Sequence, residues 1–501
     1  MSPDAIIAVA TAPGRGGIGV IRISIPSSHG QSVDGAFAKS GSEFGAASDA
    51  GASALHHLCQ TAFSLRPKPR FAHLVRLRDE HSQVIDEGVL LYFPAPASFT
   101  GEHVIEFQGH GGPALLKLCV EQIIAIAHTM SQTPEFVGFA LRLARPGEFT
   151  ERAFLNGKLD LAQAEAVADL IDAGSSRAAR AAMSSLQGRF SSDINQLADT
   201  LLQLRLLVEA TLDFPEEEIE FLKQSDALGR LSSCRMQLDA MQKQARASAK
   251  LASGLRIVIA GEPNVGKSSL LNALSGEDRA IVTDIAGTTR DAIHQDIELD
   301  GIRVTLIDTA GLRQTDDPVE RIGIERTLKE IEQADLLLVM VDASLSQPVL
   351  PQALAHIAFT GPRLRVANKV DLLGGAKPHD SVDAYRSSSA LSFTSGPEAS
   401  VAVSAKTGAG LEQLRSLIFS TVECDPHADL PYLARERHLH ALRRAAVHLE
   451  LAQFHGDQAD ASLDLFAEEL RLAHDALGEI TGRVLPDDLL GLIFSRFCIG
   501  K

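Results

Sequence analysis

Cysteine is scarce and scattered: Cys59, Cys119, Cys234, Cys424 and Cys498 form no C-x-x-C pair and no Cys/His ligand spacing. That argues against a disulfide framework or a zinc site and fits a reducing compartment. Bases are in deficit, 47 Lys and Arg against 64 Asp and Glu, for a formal charge of −17. A mean field of that sign confers solubility and does not steer a chain to nucleic acid, so any RNA contact needs a local basic patch. Long apolar runs are lacking too. Leu336 to Val341 is far too short to span a bilayer, and no membrane association is expected. The opening MSPDAIIAVATAPGRGG has an early acid and a short apolar run, unlike a signal or transit peptide, so the expected location is the cytoplasm.

What is present is an ordinary globular balance, 45% apolar and 22% charged, in 501 residues. That length suits roughly two to four domains. Near the start, IIAVATA and GVIRISI flank a Gly-rich turn and predict two strands. Residues 26 to 60 are rich in Ser, Gly and Ala and are expected to form a flexible insertion. Strand-like runs return at FAHLVRLRD and GVLLYFP, followed by PASFTGEHVIEFQGHGG and a helix near 113 to 128, so residues 1–150 read as an α+β domain.

Helices take over beyond Arg145. Leu186, Phe190, Ile194, Leu197, Leu201, Leu204 and Val208 recur at spacings of 3 and 4 and predict one amphipathic helix over about 177–212, ended by Pro215 and the acids after it. It would reach roughly 50 Å at 1.5 Å per residue. Another helix is expected near 226–250. Leu463, Phe466, Leu470, Ala473 and Leu477 repeat the pattern, and Pro486-Asp487-Asp488 opens a last helix with acids near its positive end. Helices before 250 and after 430 are expected to pack as one bundle around an insertion. A stretch at about 374–400 is expected to be a surface loop.

The strongest pattern lies in that insertion. An apolar strand, 255–260, runs into Gly261-x4-Gly266-Lys267-Ser268 and then a helix. In such a loop, Asn264, Val265, Gly266, Lys267, Ser268 and Ser269 cradle phosphates with backbone N–H groups; Lys267 neutralises the β/γ oxygens and the Ser268 hydroxyl holds Mg²⁺. Next comes VTDIAGTTRD, in which Thr283, Asp284, Ile285, Ala286, Gly287 and Thr288 precede Thr289, placed to join Mg²⁺ when a γ-phosphate is present. VTLIDTAG ends a strand at Asp308, which can reach the metal through water. It continues through Thr309 and Ala310 to Gly311, whose N–H can sense the γ-phosphate. The last elements are Asn368-Lys369-Val370-Asp371 and Ser404-Ala405-Lys406. A carboxylate at Asp371 can accept from the guanine N1–H and N2–H₂, a pair adenine cannot supply. Five elements in order identify a GTP site.

Hydrolysis must follow a less common route, because Leu312 stands where many small GTPases carry a water-orienting Gln. Asn264 and the long loop before Thr288 suggest a bound monovalent cation in the role of an arginine finger; alternatively, Asn264 only braces the loop.

These motifs, with PGRGGIGVIRIS, SFTGEHVIEFQGHGGP, RPGEFTERAFLNGKLDLAQAEAVADLI, ERIGIERT and the terminal FCIGK, closely resemble the tRNA modification GTPases of the MnmE or TrmE family. The resemblance spans nearly the whole chain, departing only near 26–60 and 374–400. It implies a multidomain protein: an α+β N-terminal domain that binds tetrahydrofolate and dimerises (1–150), an α-helical bundle in two parts (151–250 and 423–501), and an inserted α/β Ras-like P-loop GTPase domain (251–422). It implies a homodimer and a heterotetramer with the FAD-dependent partner MnmG, and tRNA as substrate. The reaction installs a (carboxymethyl)aminomethyl-type group at C5 of the wobble uridine. The one-carbon donor is 5,10-methylenetetrahydrofolate, with 5-formyltetrahydrofolate as its analogue, and GTP hydrolysis is stimulated by K⁺.

By matching motif, the resemblance assigns K⁺ to Asn264, Thr283, Ile285 and Thr288, indirect orientation of water to Glu320, and folate contacts to Arg22, Glu106, Lys158 and Lys501. Read from spacing alone, Arg22 is a solvent-facing strand position, Glu106 a strand surface charge and Lys158 a helix-start cation. Cys498 is a candidate nucleophile or a packed thiol. Arg435-Glu436-Arg437-His438 and Arg443-Arg444 are either a phosphate-contacting strip or a solvated helix face, so tRNA binding rests on the resemblance. A regulatory switch with no chemistry beyond hydrolysis is the competing function, and binding of a reduced folate would discriminate against it.

Overall fold

The computed structural model describes residues 4–27, 49–79, 81–213, 226–262, 264–277, 294–308, 332, 334–345, 359, 361–373, 399–422, 424–425, 431–457, 463–483, 487–495, 497 and 500. Two compact units result: residues 1–168 with 481–501, and residues 169–480.

The first unit is built on β1 (Ala5–Val9), β2 (Gly16–Ile25), β3 (His73–Arg78), β4 (Val84–Phe93), β5 (His103–Gly111) and β6 (Leu141–Leu143), in the order β3-β4-β5-β2-β1-β6. Pairing is antiparallel except between β1 and β6. Alternation along β2 decides what each face becomes. Ile21, Ile23 and Ile25 join the core made by α1 (Ala50–Phe63) and α2 (Pro113–Ser131). Arg22 and Ser24 take the opposite face, where α3 (Glu148–Leu155) packs Phe149 with Ile6 and Ala8.

The flexible insertion expected over 26–60 is overturned in its last part, where α1 is a core helix. Asp49 caps it by accepting from the Gly51 N–H at 3.0 Å, and Leu55, Leu58, Cys59 and Ala62 are buried at helical spacing. Its alanines, taken as low complexity, are strong helix formers. Residues 28–48 lie outside the described residues. By length and composition α2 is apolar enough to cross a membrane, which the short-run argument overlooked. Its Leu116, Cys119, Val120, Ile123, Ala127 and Met130 are buried against the sheet.

The division between units falls within α4 (Leu161–Asp172). In the second unit follow α5 (Ser176–Leu186), α6 (Arg189–Asp213) and α7 (Ala227–Ser253). The single helix expected over 177–212 is thus two. Gly188, at φ +87°, turns the chain between them, and the continuous 3,4 apolar stripe hid that break.

One residue after α7, β7 (Leu255–Gly261) begins a sheet completed by β8 (His294–Leu299), β9 (Ile302–Asp308), β10 (Leu336–Asp342), β11 (Arg363–Asn368) and β12 (Ala399–Ala402). Its order is β12-β11-β10-β7-β9-β8, parallel except for β8. The inner strands are apolar on both faces, as parallel strands covered on both sides require. Helices α8 (Lys267–Glu277) and α9 (Leu411–Thr421) supply one cover.

Beyond the sheet, α10 (Glu436–Asp457) packs along α7, and α11 (Leu463–Thr481) follows. Gln242 donates to the Leu442 carbonyl at 2.9 Å, and the Ala434 N–H donates to Ser248 Oγ at 3.1 Å. Segments before and after the inserted sheet therefore share one helical body. The last helix, α12 (Asp487–Phe494), belongs to the first unit, where Phe494 and Phe497 pack on Leu161 and Ala164. Pro215 and residues 374–398 lie outside the described residues; Ala399 and Ser400, expected in the second surface loop, open β12 instead.

Candidate functional site

β7 ends at the glycine that opens the phosphate loop. Asn264 sits at φ 65° and Gly266 at φ +97°, so the chain curls on itself before α8 begins at Lys267. A Cβ on Gly266 would lie 2.3 Å from Asn368 Nδ2, so only glycine fits. Lys267 Nζ donates to the carbonyls of Gly261 (2.9 Å) and Glu262 (3.2 Å), which holds the ammonium over the loop. Val265 is buried beneath it, and Ser268 and Ser269 are exposed in the first turn of α8. An exposed hydroxyl beside a loop of backbone N–H groups at a helix N-terminus suits a phosphate with its hard cation.

The loops after β11 and β12 are tied to this loop by one side chain. Asn368, 2% exposed, donates from Nδ2 to the Val265 carbonyl at 2.8 Å and accepts the Ala405 N–H at 3.0 Å. Ser404, fully buried, donates to Asp371 Oδ1 at 2.6 Å and accepts the Thr407 N–H at 3.2 Å. Asp371 itself is exposed, held by one carboxylate oxygen. Asn368, Asp371, Ser404 and Ala405 thus converge, with Lys406 beside them in the chain. Lys369, at φ 69°, reaches Asp342 at 2.7 Å, an acid that sequence reasoning missed. Burial pushes the Asp342 carboxyl up, but Lys369 and Ser344 outweigh it and hold the group below the usual carboxylate range. An acid ending the apolar run 336–341 was the available signal.

On the polar face of the first unit, Arg22 and Glu106 stand directly opposite each other on β2 and β5 and form an ion pair at 2.8 Å. The solvent-facing reading of Arg22 is overturned: its side chain is 23% exposed, with the rings of Phe99 and Phe149 5.7 and 5.8 Å from the guanidinium carbon. Arg22 also donates to the Gly500 carbonyl at 3.4 Å. Lys158 donates to the Pro96 carbonyl at 3.2 Å, and its neighbour Asn156 to the Thr100 carbonyl at 2.7 Å. The loop from Pro96 to Gly101 therefore gathers Lys158 and, through Phe99, Arg22.

Behind lies a closed cluster that sequence reasoning did not find. Ser24 donates to Glu102 at 2.6 Å, Arg152 bridges Glu102 and Glu148 at 3.1 Å each, and Arg142 joins Glu148 at 2.6 Å. Burial raises the Glu148 pKa, but hydrogen bonds from Arg142, the Arg145 N–H and Arg152 outweigh it and hold the group at about 2.

Thr283, Asp284, Ile285, Ala286, Gly287, Thr288, Thr289, Thr309, Ala310, Gly311, Glu320, Cys498 and Lys501 lie outside the described residues. So does the Asp308 side chain; its backbone ends β9 opposite Ile259. Cys59, Cys119, Cys234 and Cys424 are free and buried, and burial pushes the thiols of Cys59 and Cys119 up to about 12. In the basic strip, Arg435 grips Asp169 at 2.6 Å, Arg437 donates to the Glu479 carbonyl at 2.6 Å, and Arg444 pairs with Glu479.

Two sequence families match the chain: the GTP-binding protein TrmE N-terminus over residues 5–158 and the MnmE helical domain over residues 161–498. A tRNA modification GTPase MnmE from Bordetella parapertussis is 50% identical over 497 residues, covering 99% of each chain. Its namesake from Azoarcus sp. is 50% identical over 502 residues, covering 100% of this chain and 98% of that one. Among solved structures, a point variant of Aquifex aeolicus Era bound to GDP·AlF4⁻ matches at 27% identity over 39% of this chain and 67% of that one, with a TM-score of 0.27, too low to carry weight.

Proposed function

The chain belongs to the MnmE family of tRNA modification GTPases, and from that premise we propose that it is a K⁺-activated GTP hydrolase that acts with the FAD-dependent partner MnmG to install a (carboxymethyl)aminomethyl group at C5 of the wobble uridine of certain tRNAs. The observation that carries this reading is one chain, matched over 99% of its length by a relative, that carries both the phosphate loop with its Asn368–Ser404–Asp371 junction and an N-terminal face bearing the Arg22–Glu106 pair. A pure switch has no use for that second centre.

In this reading residues 1–150 bind folate and dimerise, 151–250 with 423–501 form the helical domain, and 251–422 are the GTPase domain. The protein works in the cytoplasm as a homodimer and pairs with MnmG as a heterotetramer. Bound Mg²⁺ and K⁺ supply positive charge at the phosphates, and 5,10-methylenetetrahydrofolate supplies the one-carbon unit. Lys267 holds the β/γ oxygens, Ser268 and Thr289 hold Mg²⁺, and Asn264, Thr283, Ile285 and Thr288 hold K⁺. Glu320 orients the attacking water indirectly, and Asp371 accepts from the guanine edge. Glu106 accepts from the pterin amino group, Arg22, Lys158 and Lys501 meet the anionic end of the folate, and Cys498 is the thiol available as nucleophile. An ion pair lined by two aromatic rings suits a flat, amino-bearing ring system.

Mass spectrometry of tRNA nucleosides from cells lacking the chain is the test. Loss of C5-aminomethyl-type wobble uridines, restored on complementation, is expected; their persistence would overturn the modification reading. GTP turnover should be faster in K⁺ than in Na⁺ at equal ionic strength, and equal rates would remove the K⁺ assignment. Calorimetry with 5-formyltetrahydrofolate should give heat that Glu106→Ala abolishes; silence in the intact protein would remove the folate assignment.

A further inference from the structure

Where α7 and α10 meet, the second unit holds an open cavity of about 760 Å³ lined by Lys243, Arg246, Lys250, Arg435 and Arg443. Its volume is that of a small-molecule site. The five cations face three carboxylates, so the lining is net positive in a chain of formal charge −17. Such a concentration opposes the overall field and favours an anion locally.

The cations are not equally committed. Arg435 is held by Asp169, and Arg443 lies 3.5 Å from Glu436. Lys250 donates to the Val422 carbonyl just beyond α9. Lys243 and Arg246 form no ion pair among the described residues. They are one turn apart on the exposed face of α7, where like charges repel unless an anion joins them.

The third carboxylate links this cavity to the nucleotide site. Asp335 accepts the Arg256 N–H at 2.8 Å, and its own N–H donates to the Arg256 carbonyl at 2.8 Å. Arg256 stands at the start of β7, the strand that carries the phosphate loop at its other end. Helices from both sides of the insertion and the root of its sheet therefore share this one cavity.

We propose that the cavity binds a compact phosphorylated anion of the diphosphate class, gripped by Lys243 and Arg246 with Arg443 behind them, and that its binding couples the helical body to the root of β7. Guanidinium and ammonium donors in a recess are the chemistry of oligophosphate recognition. Inorganic pyrophosphate and a nucleotide diphosphate share it.

The test is calorimetry on the full chain saturated with GDP at fixed free Mg²⁺, so that the phosphate loop is already filled. Inorganic pyrophosphate and ADP are the two probes. Saturable binding near one per chain is expected for at least one of them. Both binding assigns recognition to the diphosphate alone; ADP alone assigns it to a nucleotide. A Lys243→Ala/Arg246→Ala double variant should weaken binding by about tenfold or more, since two charge-assisted contacts are lost. GDP affinity should stay unchanged, and Lys243→Arg should retain binding. No saturable heat from either probe, or equal heat in the double variant, overturns the proposal. Loss of tRNA binding in the double variant, with both probes silent in the intact chain, would also overturn it and make the cavity an RNA contact.

Discussion

In the first unit Arg152, Glu102 and Glu148 are 8%, 8% and 3% exposed, and their charged ends turn to one another, to Ser24 and to Arg142. In the second, Asn368 and Ser404 are buried as deeply, but they hold two loop backbones and one exposed carboxylate. Equal depth therefore serves opposite ends. The closed cluster spends its bonding capacity on itself and fixes α3 to the sheet. The open junction satisfies its buried atoms and directs Asp371 outward, where a base edge can meet it. Arg22–Glu106 stands between these cases: paired like the first, about a fifth exposed like a site.

Breaking the closed cluster should have the largest effect. Arg152→Met leaves Glu102 and Glu148 buried with a partner gone and should destabilise the first unit by about 3–5 kcal/mol in urea unfolding. A loss no greater than that of Arg22→Met would make the closed cluster and the exposed pair energetically alike. Acid should do gradually what that substitution does at once. Because the Glu148 pKa is lowered from 4.5 to about 2, its contribution is complete above the higher value and is lost as pH falls towards the lower one. Glu148→Gln should flatten that part of the stability profile, and an unchanged acid limb would count against the depressed pKa.

Asn368→Ala should weaken GTP by roughly 10- to 100-fold, because a buried carbonyl and a buried N–H lose their partner. A fall in melting temperature with GTP affinity preserved would make Asn368 a packing residue. Asp371→Asn should shift preference from GTP towards xanthosine triphosphate by about tenfold or more; an unchanged ratio in competition binding would remove Asp371 as the base reader. Smallest is Arg22→Met. This pair is partly exposed, so stability should fall by only about 1 kcal/mol, while the heat of 5-formyltetrahydrofolate binding disappears.

Strand and helix positions were legible wherever period met a clear boundary, as in β1, β2, α7 and α11. The phosphate loop and Asp371 were legible because short-range spacing dictates them. Gly188 was not, since one glycine inside an unbroken 3,4 stripe leaves the periodicity intact. Nor was α1, whose alanines resemble linker composition until Leu55, Leu58 and Cys59 are seen buried. Asp342 and the Glu102–Arg152–Glu148 cluster escaped for another reason. Arg152 meets Glu148 one helical turn away, but Glu102 lies 50 residues before Arg152 and Lys369 27 after Asp342, and no local pattern announces those contacts.

Gly254 alone separates α7 from β7, while Lys250 holds the carbonyl of Val422 and Ser248 receives the N–H of Ala434. The way into the nucleotide-binding fold and the way out are thus fastened to the same two turns of one helix. To the helical body, a stretch of well over a hundred residues is topologically a short loop, and its length adds little to the entropy of closing it. The fold is mounted as a cassette. Its two chain crossings lie side by side, and α5 adds a second tie to the host, because Ala178, Ala181 and Ala182 share one apolar core with the strands of its sheet.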